Sequence, residues 1–234
     1  MKCLILAAGF GTRLGDLALD KPKPLLEVAG RPILDYILDK RFDDLDCYVM
    51  SNEKFYETFK KWSWKKNVEV ISNGVKTLET KKGSIGDIYY AIKKLNINED
   101  LIVIGGDNIF DFSLKNFVSF MPGKTKIALY DVNSKEKAKL YGIVELDKNN
   151  KIVNFFEKPQ NPSSTLAATL VYFFPKDTLK YIEEYVKLGL STDKAGDYIA
   201  WLSDRVDVFG FVTKKKWFDI GSPESLNEAN QKYK

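Results

Sequence analysis

Short apolar runs alternate with amphipathic stretches along the first half of the chain, and this alternation limits the fold more than any other feature. The apolar runs predict strands at residues 2–7, 46–50, 68–71 and 101–104. The stretches between them predict helices at residues 33–40, 53–65 and 86–95. Strands that alternate with helices form a parallel sheet with helices on both faces. The strands are apolar throughout, as burial on both faces requires.

The pattern changes after residue 124. Four predicted strands are separated by short turns, which favours antiparallel pairing: 125–130, 142–146, 151–156 and 166–174. Further elements follow: helices at 176–188 and 193–202, strands at 206–212 and 217–220, and a helix from Pro223. We therefore expect an α/β fold, with a Rossmann-like mixed, mostly parallel sheet flanked by helices and a smaller antiparallel lobe. No internal repeat or long linker interrupts the chain, so we expect one domain over 1–234, with halves of about 1–123 and 124–234.

The chain of 234 residues contains no histidine. Histidine is the commonest general base near neutral pH and the commonest transition-metal ligand. Any chemistry must therefore use carboxylates, lysines, arginines, hydroxyls and a hard cation.

Charge and cysteine content exclude other classes of protein. The net charge of +4 is small and the lysines are scattered, so we expect no nucleic-acid partner. No apolar run approaches the roughly 20 residues that span a bilayer, and the first apolar run is too short for a signal peptide, so we expect a cytoplasmic protein with no membrane partner. Cys3 and Cys47 lie in apolar runs, where they behave as core residues and imply no disulfide.

The first strand ends in a glycine-containing loop, Ala-Ala-Gly-Phe-Gly-Thr-Arg. Such a loop can direct several backbone N–H groups at a phosphate, with a hydroxyl and a guanidinium as further donors. Leu14 stands where the dinucleotide fingerprint needs a third glycine, and no Gly-Lys-Ser/Thr follows at the spacing of a P-loop. A simple tight turn would also explain the loop taken alone. The candidate nucleotide-binding residues are Ala7, Ala8, Gly9, Gly11, Thr12 and Arg13.

A longer pattern makes the interpretation specific. Leu-Ala-Ala-Gly-Phe-Gly-Thr-Arg-Leu and, later, Lys-Pro-Lys-Pro-Leu-Leu-Glu-Val-Ala-Gly-Arg-Pro-Ile-Leu resemble the signature of the sugar-1-phosphate nucleotidylyltransferases. The resemblance implies that the first half binds a nucleoside triphosphate and the second half a sugar 1-phosphate. It further implies that Arg13 contacts the departing pyrophosphate and that Lys23 neutralises charge at the α-phosphate. Gly15-Asp16-Leu17 departs from the family, where many members have a proline, so we expect a different loop shape there.

Two carboxylates follow apolar strand-like segments, Asp107 after Ile-Gly-Gly and Asp219 in Trp-Phe-Asp-Ile-Gly. Together they could hold one Mg²⁺, with phosphate oxygens and waters completing its coordination. By themselves, Asp107 could be a loop or helix-capping carboxylate, and Asp219 could cap the helix that follows Ser222. In the resembled family both matching aspartates bind the metal, and we expect the neighbouring Asn108 to contact substrate.

Further motifs match the sugar-binding half of the resembled family. Tyr141-Gly142 resembles the strand that passes under the hexose, and Glu157-Lys158-Pro resembles the motif whose glutamate accepts sugar hydroxyls and whose lysine contacts the sugar phosphate. Without the other motifs, Glu157 and Lys158 would be read as a surface ion pair before a turn. Thr169 and Tyr172 could line the same pocket, although strand packing explains them as well.

The base and the sugar stay open. Gly83 and Gly86 are expected near the base, because a flat surface under a base needs small residues. Their segment, Glu-Thr-Lys-Lys-Gly-Ser-Ile-Gly, is somewhat closer to the cytidylyl branch of the family, but dTTP, UTP and CTP all remain candidates.

The motifs together predict an enzyme that transfers a nucleotidyl group from a nucleoside triphosphate to a sugar 1-phosphate, with glucose 1-phosphate as the expected acceptor. The alternatives are a non-sugar acceptor (inositol phosphate or phosphocholine), a silent regulatory relative and a glycosyltransferase. The last is ranked lower because the segment at Asp107 reads Gly-Asp-Asn-Ile, where such an enzyme needs an Asp-x-Asp metal motif. We expect no β-helix or acyltransferase extension after the Asp219 helix. The oligomeric state is open, and a homo-oligomer is one possibility.

Overall fold

The computed structural model describes residues 1–12, 20–42 and 45–233. Four strands of its central sheet are parallel, in the spatial order β6-β1-β4-β5. They are β1 (Lys2–Leu6), β4 (Asp46–Ser51), β5 (Glu69–Ser72) and β6 (Leu101–Gly105). Every residue of β6 is buried, as its continuous apolar sequence predicted. Since the strands are parallel, their carboxyl ends meet at one edge of the sheet, which we call the upper edge.

The strands of the second half extend the same sheet. Strand β11 (Leu166–Phe174) pairs antiparallel with β6, β8 and β9, and so joins the two halves. The remaining members are β8 (Thr125–Asp131), β9 (Gly142–Leu146), β10 (Ile152–Glu157) and β12 (Val208–Thr213). The result is the predicted α/β fold, although the antiparallel lobe shares the sheet of the first half.

Helices cover both faces of this sheet, as the alternating pattern predicted. One face packs against α1 (Ile33–Leu38), α2 (Tyr56–Ser63) and α4 (Leu114–Ser119). The other packs against α3 (Gly83–Lys94), α6 (Lys180–Lys187) and α7 (Ala195–Ser203). Two short or terminal helices complete the fold: α5 (Lys135–Ala138) and α8 (Pro223–Tyr233). Across the described ranges, no helix is long and apolar enough to cross a membrane.

Two short sheets lie beside the main one. Strand β7 (Asn108–Phe110) pairs antiparallel with β13 (Trp217–Asp219), and β2 (Glu27–Val28) pairs with β3 (Arg31–Pro32). A third core packs between them around Val28, Ile109 and Ile220. The β7–β13 pair was not predicted, and it is the element that brings the end of the chain to the upper edge.

Several helix boundaries differ from the predicted ones. Helix α2 begins at Tyr56 instead of residue 53, because the Asn52 side chain accepts from the Phe55 N–H (3.0 Å) and forms a turn there. Helix α6 begins at Lys180, since Lys176–Thr178 form a 3₁₀ turn after Pro175. Helix α3 begins at Gly83, three residues earlier than predicted.

Candidate active site

Two cavities open at the upper edge of the sheet. The first, of about 370 Å³, lies at the carboxyl ends of β1, β5 and β6. The second, of about 270 Å³, lies over β9, β10 and β11. Four residues line both cavities and therefore mark where they meet: Ser84, Asp107, Leu170 and Asp193.

The first cavity brings together most of the residues predicted to bind nucleotide. Predicted residues in its walls are Ala7, Ala8, Gly9, Gly11, Thr12, Lys23, Gly83 and Asp107. Gly86 is not among the lining residues, because its position on α3 faces Thr192, whose Oγ1 lies 3.4 Å from where a side chain would begin. The predicted contact of Arg13 with pyrophosphate lies outside the described residues.

A buried asparagine supports the loop that follows β1. The Ala7 N–H donates to the Met50 carbonyl (2.9 Å), which continues the sheet for one residue. Beyond it, the Asn52 amide donates to the carbonyl of Ala8 (3.0 Å). Asn52 is fully buried at the end of β4, the strand next to β1. The sequence interpretation overlooked Asn52, although an asparagine directly after a buried strand at this edge was a signal for such a role.

Lys23 and Asp107 form an ion pair at the base of the first cavity. The Lys23 ammonium lies 2.7 Å from Asp107 Oδ2. The lysine is held in the 3₁₀ turn Lys23–Leu25, and its side chain is only 16% exposed. The predicted cation therefore lies beside the predicted metal ligand, where both can face a phosphate group.

The β7–β13 pair places the second carboxylate. Asp219 stands opposite Asn108 in the register, and the Ile220 N–H donates to the Asp107 carbonyl (2.9 Å). The two aspartates, 112 positions apart in the numbering, thus come together: Asp107 directly precedes β7, and Asp219 ends the strand that pairs with β7.

Asn108 is buried and bonded within the protein. Its amide donates to the Gly105 carbonyl (3.1 Å) and to Asp107 Oδ1 (3.2 Å), and its oxygen accepts from the Trp217 indole (2.6 Å). Asn108 was predicted to contact substrate, and it does line the second cavity. Its hydrogen bonds give it a further role, which is to orient the Asp107 carboxylate.

The pair of carboxylates suits Mg²⁺ by its chemistry. Within the described parts of the chain, no three cysteine, aspartate or glutamate side chains are grouped to hold a metal. Mg²⁺ is usually bound by one or two carboxylates together with substrate phosphates and waters. Two aspartates beside a loop predicted to bind phosphate therefore fit this ion better than a metal that needs a complete protein cage.

The second cavity contains the residues predicted to bind the sugar. Besides Asp107 and Asp219, predicted residues in its walls are Asn108, Tyr141, Gly142, Glu157 and Lys158. Thr169 and Tyr172 line it as well, although both side chains are almost completely buried. Burial raises the pKa of Tyr141 to about 12, and nearby Asp219 adds to the rise, so this phenol stays a hydrogen-bond donor at neutral pH.

Glu157 lies in a tight space within this cavity. A side chain at Gly196, in the first turn of α7, would begin 2.5 Å from Glu157 Oε2 and 2.7 Å from Phe155 Cε1, so it would displace both side chains. Burial raises the pKa of the Glu157 carboxyl above its ordinary value, and Lys158 and Lys194 oppose the rise. The neighbouring Lys158 is held with φ +49° by its backbone hydrogen bond to Tyr141 (3.0 Å). The sequence interpretation missed Gly196 and Lys194, which line the cavity from the start of α7.

Gly83 has a structural reason for its small size in addition to its predicted place near the base. It has φ +74°, and a side chain there would begin 2.4 Å from the Thr192 carbonyl oxygen. That carbonyl accepts from the Ile85 N–H (2.9 Å), and the Asp193 carbonyl accepts from the Ser84 N–H (3.2 Å). Gly83 lines the first cavity, but its small size serves the close approach of the segment Thr192–Asp193.

Comparisons with known proteins identify the family of the chain. A family model described as nucleotidyl transferase matches residues 2–234. The bifunctional protein GlmU of Methanocaldococcus jannaschii is 32% identical over 233 residues, which cover 99% of this chain and 54% of that protein. A Sulfolobus acidocaldarius protein provisionally named mannose-1-phosphate guanyltransferase is 29% identical, over 98% of this chain and 62% of that protein. The chain thus spans little more than half the length of these curated relatives.

The fold also matches solved structures. A protein from Bacillus anthracis, provisionally named glucose-1-phosphate thymidylyltransferase, superposes with a TM-score of 0.84. The match covers 99% of this chain and 94% of that one at 24% identity, which shows a shared fold. Because the family model spans nearly the whole sequence, this chain belongs to the nucleotidyl transferase family, as its motifs predicted.

Proposed function

We propose that the chain is an enzyme that transfers a nucleotidyl group from a nucleoside triphosphate to a sugar 1-phosphate, giving a nucleotide-sugar and pyrophosphate. The observation that carries the proposal is the meeting of two cavities at Asp107. A reaction between two substrates needs two sites that share a reacting centre. The first cavity would hold the triphosphate and the second the sugar phosphate, with glucose 1-phosphate as the first acceptor to test.

The proposed chemistry explains why the chain needs no histidine. An oxygen of the sugar phosphate is already ionised and attacks the α-phosphorus, forming a new P–O bond. The bond from the α-phosphorus to the bridging oxygen of the β-phosphate breaks, and that oxygen leaves with pyrophosphate. Catalysis then depends on positioning and on neutralising charge, as in phosphoryl transfer generally.

Charge neutralisation falls to groups near Asp107. Lys23, 2.7 Å from Asp107, would move its ammonium to the α-phosphate, and Arg13 would contact the pyrophosphate. Asp107 and Asp219 would hold Mg²⁺, which when bound supplies positive charge to the phosphate oxygens.

The walls of the second cavity suit a phosphorylated sugar. The Glu157 carboxylate would accept hydrogen bonds from sugar hydroxyls, and Lys158 would pair with the sugar phosphate. Gly142 lines this cavity and would let a sugar ring approach the backbone of β9, while Tyr141 would offer a phenol donor. Acceptor and cation side by side match a ligand that carries hydroxyls and a phosphate.

The test is pyrophosphate release, measured over a grid of ATP, GTP, CTP, UTP and dTTP against several acceptors. The acceptors are glucose, mannose and N-acetylglucosamine 1-phosphates, inositol phosphate and phosphocholine, each with Mg²⁺ and with a chelator. We expect release with at least one sugar 1-phosphate and none with the chelator. Release with only inositol phosphate or phosphocholine would replace the sugar acceptor, and no release with any pair would refute the enzyme.

Substitution of the two aspartates tests the metal ligands. We expect Asp107→Asn and Asp219→Asn each to lower kcat/KM at least about 100-fold, as loss of a group that stabilises transition-state charge does. Asp177→Asn is the control, because Asp177 is exposed after β11, whose end lies at the opposite edge of the sheet. Unchanged turnover in both test variants would refute the metal assignment.

A further inference from the structure

A buried carboxylate lies in the wall of the first cavity, away from the groups described so far. Asp87 projects from α3 and is only 7% exposed, although charged side chains are seldom buried without a partner. Its Oδ1 accepts from the side-chain amide of Asn73 at 2.7 Å. Both residues line the first cavity. The reaction proposed above uses neither of them.

The orientation of Asn73 is fixed by its own backbone surroundings. Its side-chain oxygen accepts from the Val75 N–H (2.9 Å), and its main-chain N–H donates to the Ser51 carbonyl (2.9 Å). The amino end of the side chain must therefore face Asp87. Asp87 in turn is held as a hydrogen-bond acceptor on that side.

The strand order places this pair at the far end of the cavity. Asp107 follows β6 and Asn73 follows β5, and these strands are separated by β1 and β4. Three interstrand spacings of roughly 4.8 Å put Asp107 and Asn73 about 14 Å apart across the sheet. The second cavity lies on the opposite side of Asp107, over β9 to β11. A nucleotide whose α-phosphate lies near Asp107 therefore extends its base toward Asn73 and Asp87.

The charge of Asp87 defines what it can bind. Burial raises the pKa of Asp87 to about 6, and the Asn73 hydrogen bond and the charge of Lys82 limit the rise. The group is thus mainly ionised at neutral pH, and an ionised carboxylate only accepts hydrogen bonds. It attracts an amino group and repels a carbonyl oxygen. Adenine, guanine and cytosine carry an exocyclic amino group, whereas uracil and thymine present two carbonyl oxygens around one N–H.

We propose that Asp87, held by Asn73, determines base specificity by accepting a hydrogen bond from the exocyclic amino group of the nucleobase. This inference rests on the proposed function, because it assigns the first cavity to a nucleoside triphosphate. It narrows the substrates to the amino-bearing triphosphates ATP, GTP and CTP, and it disfavours UTP and dTTP.

The test compares kcat/KM for the five triphosphates in the wild type and in Asp87→Asn. Asparagine keeps the shape and an oxygen for Asn73, while its new amino group can donate to a base carbonyl. We expect the wild type to prefer an amino-bearing triphosphate over UTP and dTTP at least about tenfold, and the variant to reduce that ratio at least about tenfold. The ranking among ATP, GTP and CTP identifies the base.

Two further variants separate specificity from folding. Asn73→Ala removes the group that orients the carboxylate, so the base preference should fall by less than in Asp87→Asn. Asp35→Asn changes another partly buried carboxylate, which lies on α1 and pairs with Lys66, and should leave the ratios among triphosphates unchanged. An equal decrease for all five triphosphates in Asp87→Asn, or a wild type that prefers UTP or dTTP, would overturn the proposal.

Equilibrium binding keeps this inference distinct from the proposed function. Binding of the five triphosphates is measured by calorimetry without any acceptor. If no pair releases pyrophosphate but the wild type binds amino-bearing triphosphates and Asp87→Asn loses that preference, the enzyme proposal fails and base selection by Asp87 stands. If pyrophosphate is released with no effect of Asp87→Asn on base preference, the enzyme stands and base selection fails. Absence of binding to all five would also overturn base selection.

Discussion

The buried carboxyl of Asp87 predicts how the stability of the chain depends on pH. Its pKa rises from an ordinary value of 3.8 to about 6 in the folded state. Between these values the folded protein binds more protons than the unfolded chain, so stability falls as the pH rises. The stabilising contribution of protonated Asp87 is present below pH 3.8 and is lost as the pH passes through 6.

The size of the effect follows from the same two values. The interval from 3.8 to about 6, at roughly 1.4 kcal/mol per pH unit, corresponds to about 3 kcal/mol in total. About half of it, ~1.4 kcal/mol, falls between pH 5 and pH 8, where the protein can be handled. Asp87→Asn cannot titrate and keeps an oxygen for Asn73. The free energy of unfolding of the variant minus that of the wild type should therefore rise by about 1.4 kcal/mol from pH 5 to pH 8.

Urea unfolding at pH 5, 6, 7 and 8, followed by circular dichroism, measures this difference directly. The free energy of unfolding of Asp87→Asn minus that of the wild type should rise with pH. Asp177→Asn is measured alongside as the control for the substitution itself, because the Asp177 side chain is exposed. A constant difference for Asp87→Asn, or one that falls as the pH rises, would refute the argument.

Two further predictions concern buried polar groups away from the cavities. Lys126 is buried and donates to three main-chain carbonyls near the end of α4. In urea titrations, Lys126→Met should lower the free energy of unfolding by about 3 kcal/mol. Lys124 is exposed, so Lys124→Met should change it by less than about 0.5 kcal/mol. Equal values for the two lysines would contradict this. Among the described residues, Tyr198 has the one buried side-chain oxygen or nitrogen with no hydrogen-bond partner, so Tyr198→Phe should keep or raise the melting temperature. Tyr185→Phe removes a 2.9 Å hydrogen bond to the Ser191 carbonyl and should lower the free energy of unfolding by about 1 kcal/mol. A larger loss at Tyr198 than at Tyr185 would show that its hydroxyl is paired.

Local patterns in the sequence predicted the central sheet of the molecule. The continuous apolar runs of β1 and β6 could only be strands buried on both faces, and burial of both is what the structure has. Residues that directly follow these strands must meet at one edge, so Ala7 and Asp107 could be placed together without coordinates. The first cavity was predictable to that extent.

Contacts between segments far apart in the chain were harder to predict from the sequence. Asp219 reaches Asp107 only through the β7–β13 pair. A strand at 217–220 was predicted, but its partner β7 was not, because a three-residue strand carries too few alternating positions to be recognised. The paired roles of Asn73 and Asp87 depend on a hydrogen bond between β5 and α3, which no spacing within either segment indicates. Family motifs supplied Asp219, and nothing in the sequence interpretation supplied Asn73 or Asp87.

Gly83 shows how the structure can add a reason for a residue that the sequence could not supply. The start of a helix is a favourable place for a phosphate, since its N–H groups lack partners within the helix. In α3 the N–H groups of Ser84 and Ile85 instead donate to carbonyls of Asp193 and Thr192, from the second half of the chain. These two N–H groups are therefore already paired, and this helix end joins the two halves of the chain where the cavities meet. In the proposed function the phosphate charge falls to the loop after β1 and to Lys23, and we expect a side chain at Gly83 to act by separating the two halves of the site.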